Sequence, residues 1–407
     1  MVAPNCFPQQ GERPTTVDPD AQICERARTH GIDLKPKRQS IYRSVRDEIA
    51  FSRQPAHINP AVAMSRIILP ARSQSVRGPV DQDPDDAEAL TRFIDDNLPA
   101  ASIAMDRDLL ACSNGLLCEG DDPISQCWAN EKSKEKWISR RGRLKYSASK
   151  WLGRRQTLNR PSLWITDNWS RGYFHWIGEA LCRLELAAMS CDLSEYTLVL
   201  PTKYRRSAFV AKTLAMYDLG DVRYLDQFER LKCTRMTLPT HGIQSGNFRE
   251  EILHRLRDRV LKYAGDRREG KQRIYFSRAK AGRRCIVNES DLIPILKRFG
   301  FQIRIPEEIG WSAQIRILSD ASHFVSNHGA ALTNMIAMPS GGEVFEMRHR
   351  IGATPNCFLT MASALELKFH YQMVDAVDST KSVYRGDMKV DPIAFQQKIE
   401  RMLTRGQ

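Results

Sequence analysis

A histidine, a glutamate and an arginine recur at four-residue intervals in the segment Asp167-Asn-Trp-Ser-Arg-Gly-Tyr-Phe-His-Trp-Ile-Gly-Glu-Ala-Leu-Cys-Arg183. If the segment is helical, His175, Glu179 and Arg183 share one face, and Trp176, Ala180, Leu181 and Leu184 face inward. A histidine held by a carboxylate one turn away can serve as a general base near neutral pH. The same spacing also produces surface stripes of polar groups that only satisfy one another, so it names no reaction by itself.

A second group is basic. In Arg273-Ile-Tyr-Phe-Ser-Arg-Ala-Lys-Ala-Gly-Arg-Arg-Cys-Ile-Val-Asn-Glu289 a strand delivers Ser277 and Arg278 to its carboxyl end, and a loop then offers Lys280, Arg283 and Arg284. Arginine forks bind phosphate oxygens in a bidentate manner, which suits a diphosphate; the plain alternative for Lys280 and Arg283 is unused surface charge. Asn288 is placed to cap the helix that follows. A third group lies in Ser319-Asp-Ala-Ser-His-Phe-Val-Ser-Asn-His-Gly-Ala-Ala-Leu-Thr-Asn334, where a buried strand breaks at Asn327-His328-Gly329 and an apolar helix begins near Ala330. Such a turn presents backbone N–H groups and a positive dipole end, a place for phosphate. Gly329 lets the backbone come close, and His328 can donate to a phosphate or sugar oxygen. Glu346, near the end of the strand in Gly341-Gly-Glu-Val-Phe-Glu-Met347, is a candidate acceptor for ribose hydroxyls, or an ordinary strand-end carboxylate.

These residues need two sets of elements to hold them. The spacing predicts strands at 162–166, 196–200, 222–225 and 233–238, with helices at 173–189 and 207–217 between them. A turn-rich linker, 240–247, leads to a second series: helix 248–263, strand 273–277, helix 289–299, strand 301–305, helix 312–318, strand 321–326, helix 331–338 and strand 343–347. Alternation at this interval implies parallel sheets covered on both faces, with a ligand crevice at the carboxyl ends of the strands. The fold class expected is therefore α/β, with two doubly wound, Rossmann-like domains at 96–245 and 246–378. Residues 1–95, dotted with proline, read as a partly irregular extension. Residues 101–118 read as a pair of short strands, and the helix within 379–407 as packing back across the cleft.

Composition narrows the classes further. The 407 residues suffice for two domains with sizeable cores. The beginning of the chain shows no apolar leader pattern, and no apolar run approaches the roughly 18 residues of a membrane span. The expected location is the cytoplasm. Ten cysteines are scattered without a C-x-x-C pair, which argues against a zinc ribbon or thioredoxin-like site. The net charge of +13 calls for an anionic partner: nucleic acid, an anionic membrane surface or a nucleotide diphosphate. Its two clusters are 132–155, with Trp137, Tyr146 and Trp151 interleaved, and 267–284. No zinc finger, RNP-type motif or helix-turn-helix is present to support nucleic acid.

With these segments in hand, the chain resembles the glycosyltransferase family 61 proteins, as a bacterial-type member. The resemblance is carried by Tyr173-Phe-His-Trp-Ile-Gly-Glu-Ala-Leu-Cys-Arg-Leu184 and by Ile274-Tyr-Phe-Ser-Arg278 with Arg283-Arg284 and Asn288-Glu289. Pro306-Glu-Glu308 follows, then Ser326-Asn-His-Gly-Ala-Ala-Leu-Thr-Asn334 with Met338-Pro339, Gly341 and Glu346, all in the family's order. The family pattern has proline where this chain has Cys182, and often a third basic residue where Cys285 stands. The resemblance implies a GT-B architecture and an inverting transfer from a nucleotide-sugar, most simply a UDP-sugar, with no cofactor and no bound metal. No Asp-x-Asp stands in a convincing strand-end context for a metal, and Asp81-Gln-Asp83 falls in the extension, away from both modules. In that setting Ser277, Arg278, Arg283, Arg284, Asn327, His328, Gly329, Ala330 and Glu346 bind the donor. His175 is the base, Glu179 orients it, and Asp167 is the reserve base. The acceptor would be a glycan or a lipid-linked sugar in surface polysaccharide synthesis, such as capsule, with peripheral contact to an anionic membrane through residues 132–155. The competing readings are another GT-B-like transferase of pyruvyl or sialyl type, and a glycan- or nucleic-acid-binding protein with a degenerate site.

Overall fold

The computed structural model describes residues 65–92, 94–120, 122–130, 133–135, 154–240, 245–265, 270–350, 354–378, 380–381 and 384–404. Residues 1–64, and nearly all of the basic 132–155 stretch expected to touch a membrane, lie outside them.

After β1 (Ser65–Leu69), the short antiparallel pair β2 (Arg72–Ser73) and β3 (Asn97–Leu98) brackets helix α1 (Ala87–Thr91). The first sheet is built from β1, β4 (Ala101–Cys112), β5 (Leu117–Glu119), β6 (Asp122–Pro123), β7 (Arg155–Leu158), β8 (Ser162–Leu163), β9 (Thr197–Leu200), β10 (Asp221–Tyr224) and β11 (Arg230–Pro239). Its main path runs β10-β9-β8-β11-β4-β5-β6. The strands β8 to β11 are parallel, as the alternation predicts, but β4, β5 and β6 extend the sheet antiparallel from the free edge of β11. The first module is therefore mixed rather than purely doubly wound. The reason is local: the 101–119 hairpin has no helix to cross over with, so its strands can only add antiparallel. Strands β7 and β8 pair with successive stretches of β11 and are separated by Asn159-Arg160-Pro161; proline lacks the N–H that would continue the ladder.

The second sheet contains β12 (Gln272–Phe276), β13 (Phe301–Arg304), β14 (Ala321–Asn327), β15 (Glu343–His349), β16 (Lys368–Ala376) and β17 (Met388–Lys389), in the order β13-β12-β14-β15-β16-β17. All pair in parallel except β17. Counted from β12, this is the 2-1-3-4-5 winding, whose topological switch point lies between β12 and β14. In the first sheet the parallel strands run β10-β9-β8-β11, so the order reverses between β8 and β11. Each switch point opens onto one of the candidate groups described above.

Burial follows the strand period of two. Ile274, Phe276 and Phe324 enter one hydrophobic cluster, whereas Tyr275, Val325 and Phe345 enter another on the opposite face. Likewise Leu163, Ile165, Leu198 and Leu200 point one way and Trp164 and Val199 the other. The largest cluster is shared by both sheets. It contains Trp176, Leu181 and Leu184 of helix α2 (residues 173–188), Leu253, Leu256 and Val260 of α4 (Glu250–Ala264), and Phe358 and Met361 of α7 (Cys357–Ala364). Between these helices in the chain lie α3 (Ala208–Leu214), α5 (Glu289–Arg298) and α6 (Trp311–Leu318).

Three placements differ from those expected. The closing helix α8 (Pro392–Thr404), expected to pack back across both modules, buries Phe395, Ile399 and Met402 against one face of the second sheet with Leu292 and Leu296 of α5. Part of the supposed extension is structural: Val80 N donates to Phe369 O at 2.9 Å, Leu90 is in the shared core, and Asn356 Nδ2 holds the carbonyls of Ala89 and Arg92. Consequently Asp83 is not remote from the modules, since its backbone N–H donates to the Tyr371 hydroxyl at 2.9 Å. Asn288 does not cap α5 with its side chain; it bonds both polar groups of Val390 instead, pinning the end of β17. Among the described residues no helix is long and apolar enough to cross a membrane.

Candidate active site

Helix α2 begins just beyond β8, at the first sheet's switch point. Its first turn is Tyr173–His175, its middle Trp176–Ala180 is a π turn, and Leu181–Ala188 is α-helical. A π turn inserts an extra residue into the ladder, and such insertions recur at functional sites. Here it offsets the polar stripe. His175 Nδ1 lies 3.0 Å from Glu179 Oε2, but Arg183 turns away to bind Asp167 Oδ2 at 2.6 Å and the carbonyl of Ile165. The imidazole and carboxylate touch, although the ring N–H is not aligned along that line. Ser245 Oγ donates to the other carboxylate oxygen, Glu179 Oε1, at 2.5 Å. The His175 ring also packs on Trp169 and Phe174, with centroids 5.0 and 5.1 Å away.

Asp167 has a different job from the one expected of a reserve base. Its Oδ1 accepts from Trp169 N, Ser170 N and Ser170 Oγ at 2.8–2.9 Å, and its Oδ2 holds Arg183. With a side chain only 1% exposed, it organises the turn between β8 and α2 and neutralises a buried guanidinium.

The donor-side candidates gather at the second switch point. Ser277 and Arg278 follow β12, and Asn327, His328, Gly329 and Ala330 follow β14. The apolar run at Ala330–Ala337 is a 3-10 helix rather than the α-helix expected. Arg278 and Arg284 both come into this turn with their Nε atoms buried and without hydrogen-bond partners. Burial, reinforced by Arg278 and Arg283, pulls the Arg284 guanidinium down to about 10; burial lowers that of Arg278 as well. Two cations crowded together with unused donors are the electrostatic mould of a polyanion. Arg283 itself is exposed, and Lys280 pairs with Glu308 at the surface. Ser277 Oγ donates to Glu289 Oε2 at 2.9 Å, so its hydroxyl is fixed to α5, while Asn327 Nδ2 holds the backbone carbonyl of Arg284.

Glu346 does not reach outward for a ribose. It is fully buried in the middle of β15, with Oε1 against His328 Nδ1 and Oε2 3.4 Å from Arg348 Nη1. This fixes the chemistry of His328. Burial lowers its pKa, so it is neutral, with the proton on Nδ1 facing the carboxylate. In that state Nε2 carries the lone pair, so it would accept from a hydroxyl rather than donate to a phosphate or sugar oxygen as expected.

The two groups belong to one place. Centroid separations of 5.1, 5.6 and 5.1 Å link His175 to Phe174, Phe174 to Phe358 and Phe358 to His328 in an aromatic row. Burial raises the Cys357 thiol, and the charges of Glu346 on β15 and Glu179 on α2 push it further, so carboxylates from both modules bear on one thiol. Tyr173 clasps the halves: its hydroxyl accepts from Trp311 Nε1 at 2.7 Å and donates to Asn334 Oδ1. Sequence reasoning missed Ser245, Arg348 and Phe358, because each acts across the fold and none carries a local spacing signal.

Residues 173–345 match the family model described as Glycosyltransferase 61. Over 120 residues the chain is 29% identical to the EGF domain-specific O-linked N-acetylglucosamine transferases of Rattus norvegicus and Mus musculus. It is 30% identical to that of Bos taurus over the same length. These alignments cover 28% of this chain and 22% of each relative, so the chain spans about a fifth of the length of the curated relatives it matches. The family match starts at the first residue of α2 and ends one residue short of Glu346, enclosing the His175–Glu179 pair, the arginines and the Gly329 turn; over this stretch, a little under half of its length, the chain is similar to glycosyltransferase family 61.

Proposed function

We propose that this chain is an inverting, metal-independent glycosyltransferase of GT-B type, moving a sugar from a nucleotide-sugar to a hydroxyl acceptor. The observation that carries this reading is the pair of partly buried guanidiniums, Arg278 and Arg284, whose buried Nε donors have no hydrogen-bond partner beside the Gly329 turn. A donor diphosphate supplies the charge that such a pair lacks. In the single displacement proposed, the acceptor oxygen attacks the anomeric carbon as the bond to the diphosphate oxygen breaks. His175 takes the acceptor proton through Nε2, and Arg278 and Arg284 stabilise the charge that builds on the leaving diphosphate. His328 Nε2 accepts a hydroxyl of the donor.

A UDP-sugar is the donor of choice, and the name shared by the relatives makes N-acetylglucosamine the first sugar to test. For the acceptor, a glycan or lipid-linked sugar in surface polysaccharide synthesis, worked on from the cytoplasmic side of a membrane, fits the chain's basic charge. The relatives' name adds a protein hydroxyl as a second acceptor class. Calorimetric titration with UDP, GDP, CMP and CDP in EDTA tests the donor site. The expected result is binding of one nucleotide that is lost in Arg278→Ala; binding that needs a divalent ion, or survives that substitution, overturns the assignment.

A further inference from the structure

Glu179 is held from both sides. One oxygen faces His175 Nδ1 at 3.0 Å and the other accepts the Ser245 hydroxyl at 2.5 Å. Behind the carboxylate lies a cavity of about 50 Å³, walled by Arg183, Ser245, Asn247 and Arg249 among others. Arg249 on that wall offers a carboxylate an alternative to the imidazole, whereas Arg183 is already bound to Asp167 and to the carbonyl of Ile165. The Arg249 side chain is 1% exposed, with Nε and Nη1 outside any hydrogen bond and Nη1 4.0 Å from Glu251 Oε1, and Arg183 is 6% exposed. A glutamate has three soft dihedrals through which the Glu179 carboxylate can swing into this space. The Ser245 hydroxyl is the group that opposes this rotation.

Ser245 is in turn fixed by the second module. The next residue, Gly246, has its carbonyl held by Thr360 Oγ1 at 2.5 Å, and a Cβ on it would stand 3.1 Å from Cys357 Cβ. One position further, Asn247 Oδ1 accepts the Asp95 N–H at 3.1 Å. The serine therefore reports the position of α7 to a carboxylate on α2.

We infer that Ser245 is a positioning residue for the reaction: it holds Glu179 beside His175, where the carboxylate charge, 3.0 Å from Nδ1 though off the N–H line, favours the proton on Nδ1 and leaves Nε2 free to take one. This rests on the transferase reading for its catalytic consequence, but its structural core does not. The test is therefore twofold. Ring nitrogen NMR shifts, which report the tautomer, are measured for His175 in the full chain and in Ser245→Ala, Ser245→Thr and Glu179→Gln. Turnover and donor KM are measured for the same proteins. Ser245→Ala is expected to lose the Nδ1–H tautomer toward a mixture and to lower kcat about 5- to 20-fold with donor KM unchanged. Ser245→Thr is expected to restore both, and Ser245→Ala to add nothing to Glu179→Gln. An unchanged tautomer in a folded Ser245→Ala protein overturns the positioning role. A tautomer change in a chain that transfers no sugar leaves the role standing and sinks the transferase reading instead.

Discussion

The Arg278 guanidinium occupies the space that a side chain on Gly329 would need: an added Cβ would lie 2.5 Å from Arg278 Nη1 and 3.1 Å from Cζ. The backbone is not the reason for glycine here, because φ is 173°, an extended value open to any residue. The glycine makes room for the arginine. Gly329→Ala is accordingly expected to push the flexible end of Arg278 aside at a stability cost below about 1 kcal/mol, while nucleotide affinity drops at least about tenfold. Thermal melting and calorimetry on the same protein check both halves. Unchanged affinity would remove Arg278 from the diphosphate site.

Arg284 tests whether the cationic pair is a strain held for a ligand. Its pKa falls from 12.5 to about 10, chiefly by burial and then by the neighbouring Arg278 and Arg283. A cation with a depressed folded pKa opposes folding throughout the pH range below about 10, where the arginine is charged in both states, and ceases to do so as it deprotonates. Arg284→Met should therefore stabilise the free protein, by something on the order of 1–3 kcal/mol. It should also abolish the rise in melting temperature that the bound nucleotide gives the unsubstituted chain. A less stable variant would mean that Arg284 has an anionic partner within the fold.

Much of the architecture was legible because the periods are clean. Helix 173–188 and the strands around Ile274, Val325 and Val344 follow directly from 3.6- and 2-residue repeats. The antiparallel half of the first sheet was not, because an edge addition depends on which strand is left unpaired and not on any property of residues 101–119. The site shows the same division. His175–Glu179 is a local relation on one helix and was readable. The partners of Glu346 and Asp167 were not readable: His328 meets Glu346 through the pairing of β14 with β15, and the π turn that redirects Arg183 to Asp167 has no signature in residue type.

His323 gives a pH dependence that is independent of the site. It lies at the far end of β14 from His328, and burial holds it near 4, opposed by Glu343 and assisted by Arg273, His370 and Lys368. An unfolded histidine titrates near 6.5. Between about 6.5 and 4 the unfolded chain thus binds a proton that the folded chain refuses, so stability is full above 6.5 and falls with pH toward 4. Neutral, buried His328 acts in the same sense. Replacing His323 with Gln should flatten the acid side of a melting temperature–pH curve without removing its slope. An unaltered curve would show that His323 titrates normally in the folded protein.

The sharpest separation is between His175 and Asp167, the two candidates for the base. His175 is partly exposed, touches Glu179 without an aligned hydrogen bond and has little structural work to lose. His175→Ala should therefore fold normally, bind nucleotide through Arg278 and Arg284 as before, and lose roughly 10²–10⁴ in kcat. Asp167 closes its own turn through three donors and pairs with a guanidinium that is 6% exposed. Removing one partner of such a buried pair leaves the other charge uncompensated, so Asp167→Ala should cost about 3–5 kcal/mol and lose activity together with the fold. Kinetics and melting measured side by side distinguish them. If Asp167→Ala melts like the unsubstituted protein yet is inactive while His175→Ala retains turnover, the base is Asp167, and the π turn positions Arg183 for catalysis.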